Sequence, residues 1–388
     1  MSLTVLHVLV PEPPGEIGGA DMHVHDLAMS QLAAGLAPAV IERGSTEFAG
    51  RLASAGAEVV SATGLGMRTA IHVLAREIAR RRPDVVHAHG YDADYWAAAT
   101  RWRFPRLFRH VPLVFTQHGV VADTLWHRCK TALDALSMRA ADGVIVCAPG
   151  LVDRMRRWCP KGAVRYIPNG VQVPETPPRD AARRALGLPA RSFMLAYVGR
   201  LSPEKRPDRV LTLLADARSA GLAVDGIIAG SGPLRVSLER QADVLGLRDG
   251  VFFIGYTPAV GSVYGAVDAL ALLSDTETTS RVVIEAMSTG VPVIASSVGG
   301  VPELLDLGRA GWLVPPDNRL AALNALHELV SHPGRFVDIA QQRARERYLA
   351  ETMSQGVREF YEHLLDAALH GKRTASTRLT VTGEADIG

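Results

Sequence analysis

The stretch Tyr166–Ala190, YIPNGVQVPETPPRDAARRALGLPA, sets five prolines and two glycines into a chain that otherwise alternates short apolar runs with amphipathic segments. Proline has no amide N–H and a fixed φ, so a buried strand does not tolerate such a density. Before this break, LTVLHVLV, APAVIE, VVSA, DVVHAHG, VPLVFTQHG and DGVIVCA read as buried parallel strands. Helical patterns lie between them at Asp21–Ala34, Thr69–Arg81 and Asp123–Arg139. After the break the rhythm restarts with SFMLAYVGR, AVDGIIAGSG, VFFIGY, DALALLS and VPVIASS. Strand–helix alternation predicts an α/β chain with doubly wound sheets, and the break predicts two of them. The expected domains are residues 1–170 and 190–350, joined around 168–190. Helical patterns follow at Arg319–His332, Pro333–Tyr348 and Met353–His370, and the polar tail 371–388 reads as flexible.

Size and composition agree with that division. The 388 residues are about two and a half times the ~150-residue domain prior. With 47% apolar and 21% charged residues, the chain can bury large cores and is not composed like a disordered one. Lys plus Arg (42) nearly balances Asp plus Glu (40), which argues against a dedicated nucleic-acid binder. Cys129, Cys147 and Cys159 form no CxxC pair, so neither a zinc knuckle nor a disulfide framework is expected. A reducing compartment follows. The apolar run Leu3–Val10 lacks a basic flank and is too short to span a bilayer, and no later run approaches ~18 apolar residues. We expect a cytoplasmic protein, at most peripheral to the inner membrane face.

Several loops carry chemistry. In PEPPGEIGGADMHVHDLA a strand ends, Gly18 and Gly19 form a loop, and a helix begins near Asp21. Backbone amides there can meet an anion, although an ordinary strand-to-helix turn reads the same way. The second half says more. GRLSPEKRP puts Gly199, Arg200 and Lys205 on a loop after a strand, where doubly wound sheets collect ligands. Two cations there suit a diphosphate, and a solvated charged loop is the plainer alternative. AGSGP (Ala229–Pro233) follows another strand, with Gly230 and Gly232. In SDTETTSRVVIEAMSTGVPVIASSVGGVPE, Glu277 sits on a loop and Glu285 a turn and a half into a helix starting near Ser280. The amides of Thr279, Ser280, Arg281 and Val282 would face whatever the loop binds. A carboxylate beside them can accept both hydrogens of a vicinal diol, such as a ribose.

This ordered set resembles glycosyltransferase family 4: a Gly-Gly loop, a GR…K loop, AGxGP, and E-x7-E running into EAM…G-x-PV-x-A…GG-x-PE. The resemblance is strong from about residue 195 to 320 and weaker but collinear over the first 170. It implies the GT-B fold, two Rossmann-like domains facing a cleft, with the last helix returning to the first domain. It also implies a retaining enzyme that uses a nucleotide sugar, UDP- or GDP-linked, and requires neither metal nor cofactor. By the same resemblance Gly19 faces the donor diphosphate, and Arg200 and Lys205 neutralise that diphosphate as it leaves. Glu285 holds the ribose and Glu277 contacts the transferred sugar. His118 lies over the sugar near the reacting carbon, and Ile254 and Tyr256 border the base. Thr278-Thr279-Ser280 stand where the family commonly has Gly-Phe-Gly, which implies a differently shaped sugar pocket.

Other constellations read differently. Asp92-Ala93-Asp94 is formally a DxD, but it falls in the first domain, away from the expected donor half, and reads as an acceptor-side loop. His87 and His89 alternate on a strand end, and packing or acceptor contact explains them more simply than zinc. His23 and His25, two apart on a helix, cannot converge on one metal. The stretch RWRFPRLFRH (Arg101–His110) interleaves cations and aromatics and suits either an anionic membrane surface or a solvated helix end. The acceptor is expected to be a small molecule, a glycan or a lipid-linked group. A GT-B nucleotide-sugar 2-epimerase and a non-catalytic sugar-nucleotide-binding protein are the competing readings.

Overall fold

The computed structural model describes residues 3–10, 18–43, 46–62, 64–118, 133–159 and 162–369. Cys129, most of the helix expected at Asp123–Arg139 and the tail from Gly371 lie outside the described residues. The chain divides into two compact units: residues up to Ile167 together with those from Ser354 onward, and Pro168–Met353.

In the first unit, seven parallel strands form one sheet among the described residues. They are β1 (Thr4–Leu9), β2 (Ala37–Glu42), β3 (Glu58–Ser61), β4 (Val85–His89), β5 (Leu113–Gln117), β6 (Gly143–Val146) and β7 (Ala163–Tyr166), in the order β3-β2-β1-β4-β5-β6-β7. Parallel strands covered on both faces read as continuous apolar runs, and β4 and β5 are buried at every residue. Leu6 and Val8 pack with Leu74, Ile78 and Trp96, while Leu9 packs with Val24, Phe48 and Leu52. Alternate residues of one strand thus serve two separate cores. The helix Ala350–Leu369 carries its second part, from Ser354, into this unit. Gly143 of β6 admits it closely: a Cβ there would lie 2.7 Å from Leu364 and 2.8 Å from Phe360.

The second unit holds a six-stranded parallel sheet: β8 (Phe193–Val198), β9 (Val224–Ala229), β10 (Val251–Gly255), β11 (Ala269–Leu272), β12 (Val293–Ser296) and β13 (Trp312–Val314). Its order is β10-β9-β8-β11-β12-β13. The proline-rich stretch from Pro168 packs into this unit. Val171 exchanges backbone hydrogen bonds with Tyr348 and Ala350, and the helix Arg179–Ala185 buries Arg183 to 1% exposure. That guanidinium donates to the carbonyls of Ala266, Pro189 and Ala190 and pairs with Asp268 at 3.0 Å. The prolines interrupt the strand–helix rhythm while the segment itself is held by side-chain and backbone bonds.

Candidate functional site

In a doubly wound sheet the strand order reverses where the first strand meets its later neighbour, and the loops on either side splay to leave a crevice at the strand C-termini. In the second unit that point lies between β8 and β11. The loop after β8 carries Gly199, Arg200 and Lys205. The loop after β11 runs from Ser274 to Ser280 and carries Glu277. Residues 72 apart in sequence therefore meet: Lys205 Nζ donates to Glu277 Oε1 at 2.9 Å. Ser274 Oγ donates to the same oxygen at 2.9 Å, and the Asp275 amide donates to the Glu204 carbonyl at 2.9 Å. Glu277's carboxylate is 6% exposed and Lys205's side chain 30%. Among the described residues nothing hydrogen-bonds Oε2 of Glu277.

Backbone close approach explains the glycines around this crevice. Gly230 has φ +143°, and a Cβ there would lie 1.8 Å from the Gly199 carbonyl oxygen. A Cβ on Gly232 would lie 2.5 Å from the Leu201 carbonyl oxygen. The AGSGP loop is thereby laid directly against the Arg200 loop, and the Leu201 amide donates to the Ser231 carbonyl at 2.7 Å. Arg206 adopts the left-handed conformation at φ +48°, unusual for a residue with a side chain. Its guanidinium spans Asp208 at 2.9 Å and Asp275 at 3.4 Å, which ties the two loops together again.

The helix Arg281–Thr289 starts after Ser280, whose extended backbone serves as N-cap without a side-chain bond. Thr279 is half-buried before it, and Val282 lies in its first turn. Glu285, 9% exposed, sits one turn in. Tyr264 Oη donates to Glu285 Oε2 at 2.9 Å, and Arg281 Nη2 to Oε1 at 3.3 Å. Burial, and then the Glu285 charge, push the Tyr264 phenol well above its ordinary range, so it stays a donor. On β10 the pairing register shifts between Phe253 and Gly255, with Ile254 half-buried at the irregularity and Tyr256 half-exposed just beyond it. A cavity of about 190 Å³ lies beside the helix Pro207–Ser219, but Arg200, Lys205, Glu277 and Glu285 do not line it. Its cations Arg206, Arg209 and Arg319 are matched by Asp208, Asp275 and Asp216.

Gly18, Gly19 and His118 belong to the first unit. The Gly18 amide donates to the Asp21 carboxylate at 2.7 Å, an intrachain anion at the start of the helix Gly19–Ala33. Gly19 is exposed. His118 follows β5 and joins a group of histidines that the sequence presents as unrelated pairs. His87 and His89 rings lie 4.1 Å apart, His7 and His89 5.2 Å, His23 and His89 5.6 Å, and His23 and His118 4.6 Å. Burial pushes His7 down to about 4, against a hydrogen bond that its Nε2 donates to Gln31 Oε1 and that favours its charge, and drives His87 and His89 well below the ordinary range. All three are neutral near pH 7. Asp94, of the DxD, is fully buried and accepts from Gln117 Nε2 at 2.5 Å, while Asp92 is exposed. The two carboxylates thus face different surroundings. Burial and the neighbouring Asp134 raise Asp94 well above the usual carboxyl range, and burial lifts Asp134 itself to about 7.

The sequence does not single out Tyr264 or Ser274, and it marks the pair Gly299-Gly300 only as part of the family pattern. Gly299 lies so close to the Glu277 carbonyl that a Cβ would sit 1.4 Å from its oxygen. The glycine pair in SSVGGVPE was visible in the sequence and marks that contact.

Two doubly wound units, with cationic and acidic loops at the switch point of the second, define the class: a GT-B glycosyltransferase. The family model for glycosyl transferases group 1 matches residues 178–347, and that for glycosyltransferase family 4 matches residues 17–174. A D-inositol 3-phosphate glycosyltransferase of Rhodococcus opacus (strain B4) is 30% identical over 328 residues, covering 78% of this chain and 70% of that protein. The structure of Anabaena Alr3699/HepE in complex with UDP-glucose aligns with a TM-score of 0.80 at 22% identity, over 93% of this chain and all of that one. Sucrose-phosphate synthase from Thermosynechococcus elongatus aligns at 0.75 and 21%, over 94% and all of that chain. The chain belongs to glycosyltransferase family 4. Among the described residues no helix is long and apolar enough to cross a membrane.

Proposed function

We propose that this enzyme transfers a hexose from a UDP-linked donor to a hydroxyl of a small polar acceptor, with retention at the anomeric carbon and without a metal. The observation that carries this reading is the Lys205–Glu277 contact at the switch point, which combines a diphosphate partner with a sugar partner in one crevice. UDP is favoured over GDP because Anabaena HepE was solved with UDP-glucose. An inositol phosphate heads the acceptor panel, because the Rhodococcus relative is named for one.

In this mechanism the glycosidic C–O bond breaks while the acceptor oxygen approaches from the same face. Arg200 and Lys205 meet the charge that develops on the leaving diphosphate, with the amides of Arg281 and Val282 aimed at it. The departing phosphate oxygen takes the acceptor proton, so no dedicated base is needed. Lys205 and Ser274 hold Glu277 through Oε1, which leaves Oε2 for a hydroxyl of the sugar. Tyr264 and Arg281 fix the Glu285 carboxylate so that its remaining lone pairs receive the ribose diol. His118 is assigned to the transferred sugar on the family resemblance.

The test is turnover of UDP-hexoses, with and without acceptor, in excess EDTA, followed by NMR of the product's anomeric proton. Acceptor-dependent release of UDP with an α-linked product from an α-linked donor is expected. Acceptor-independent isomerisation would indicate the epimerase, and activity restored only by Mn²⁺ or Mg²⁺ would contradict the metal-free mechanism.

A further inference from the structure

The histidines of the first unit fall into two groups that differ in the donor atoms they bring together. In the first, His7 is bonded through Nδ1 to His89 at 3.0 Å and through Nε2 to Gln31 at 2.8 Å. His87 is bonded through Nδ1 to Tyr361 and through Nε2 to Thr116, both at 2.6 Å. A metal ion there would have to break short, buried hydrogen bonds. The second group is His23 from the helix Gly19–Ala33, His118 after β5 and Cys147 after β6. These residues come from three elements, and their donor atoms lie within 4.8 Å of one another. Cys147 and His23 are 1% and 2% exposed, and Cys147 Sγ and His118 Nδ1 share a long sulfur hydrogen bond at 3.8 Å, which an ion would replace. The neighbouring His89 is 2% exposed, and its Nδ1 has no hydrogen-bond partner.

We infer that His23, His118 and Cys147 form a binding site for a borderline-soft divalent cation, Zn²⁺ foremost, and that occupying it removes His118 from the sugar. Two imidazoles and a sulfur select Zn²⁺ or copper over Mg²⁺ or Ca²⁺, which prefer oxygen ligands. Bond lengths of ~2.0–2.3 Å in a tetrahedron put ligand atoms roughly 3.3–3.8 Å apart, so closing the site takes a contraction of about 1 Å. The Cys147 proton leaves to solvent as the Zn–S bond forms. The ion would inhibit and would take no part in transfer. The inhibitory half of the inference rests on the proposed place of His118, and the binding half does not.

Co²⁺ serves as the spectroscopic probe on chelator-treated, full-length protein. The wild type is expected to develop a thiolate-to-cobalt charge-transfer band that Zn²⁺ abolishes. Cys147→Ser should lose the band, and His23→Gln should weaken Zn²⁺ binding by calorimetry by at least about tenfold. Thermal melts without metal verify that both variants are folded. No band in the wild type, or an unchanged band in Cys147→Ser, overturns the site. In the transfer assay, Zn²⁺ should inhibit the wild type and spare Cys147→Ser. Equal inhibition of the two overturns the link to His118 and leaves the metal site to be judged on its spectrum.

Discussion

Lys205 and Glu277 neutralise each other at 2.9 Å before any donor arrives. In the proposed reaction an incoming diphosphate would compete with Glu277 for the ammonium, and the attraction would grow as charge builds on the leaving group. Such an interaction acts on the transition state more than on the ground state. Lys205→Ala and Arg200→Ala are therefore expected to lower kcat about 10²–10³-fold with a smaller change in donor KM. Steady-state kinetics at two salt concentrations test this, because a purely steering role would show a modest, salt-sensitive loss. His7 makes a different prediction. Buried and neutral, with its value near 4 against 6.5 for a free histidine, it opposes folding once the unfolded chain begins to take up protons. Its contribution is intact above about pH 6.5 and is lost as pH falls toward 4, on the order of 2 kcal/mol at pH 5. Asp134, raised to about 7, has the opposite slope, so the comparison must be a difference between variants. The stability gap between wild type and His7→Gln should narrow by that amount from pH 7 to pH 5 in denaturant titrations. A constant gap would mean His7 does not sit neutral in the fold.

Loops set against loops position the second unit's crevice. A methyl group on Gly230 would collide with backbone, 1.8 Å from the Gly199 carbonyl, and backbone cannot rotate away as a side chain can. Gly230→Ala should therefore lower both melting temperature and kcat, and a variant with wild-type kinetics would show that the contact is dispensable. Tyr361 on the last helix is bonded to His87 at 2.6 Å in a buried site. Tyr361→Phe leaves that nitrogen unpartnered and should cost about 1–3 kcal/mol in chemical denaturation. The strands β1–β6 and β8–β12 are legible in the sequence because buried parallel strands are continuous apolar runs. β7 and β13 are not. β7 is an edge strand, half-buried throughout and interrupted by Arg165, and β13 is three residues long. Gly199, Arg200, Lys205, Glu277 and Glu285 were legible through their motifs. Tyr264 and Ser274 were not, because their value lies in a hydrogen bond across a fold that no local spacing encodes. The histidine group was hidden for the same reason: β1, β4 and β5 place His7, His87, His89 and His118 side by side only once the sheet is ordered.

The whole chain passes from one unit to the other after Ile167 and returns at Ser354, so the first unit is closed by its own distant C-terminal segment. Val357, Phe360, Tyr361 and Leu364 are buried there, each contributing roughly 1.5–3 kcal/mol of apolar burial. Ending the chain at Met353 should expose that face, and hydrogen exchange should rise in β4, β5 and β6 while β8–β12 stay protected. Uniform protection in both sheets would contradict the division. The central claim concerns the other unit: a nucleoside diphosphate binds at the β8–β11 switch point through Arg200, Lys205 and Glu285, with no metal. Isothermal titration of UDP in EDTA, into wild type and Glu285→Ala, tests it most directly. The account predicts binding by the wild type and a loss of about ten- to a hundredfold in the variant, the worth of a charged hydrogen-bond pair to the ribose. Equal affinity in the two proteins, or binding only after Mn²⁺ or Mg²⁺ is added, would contradict it.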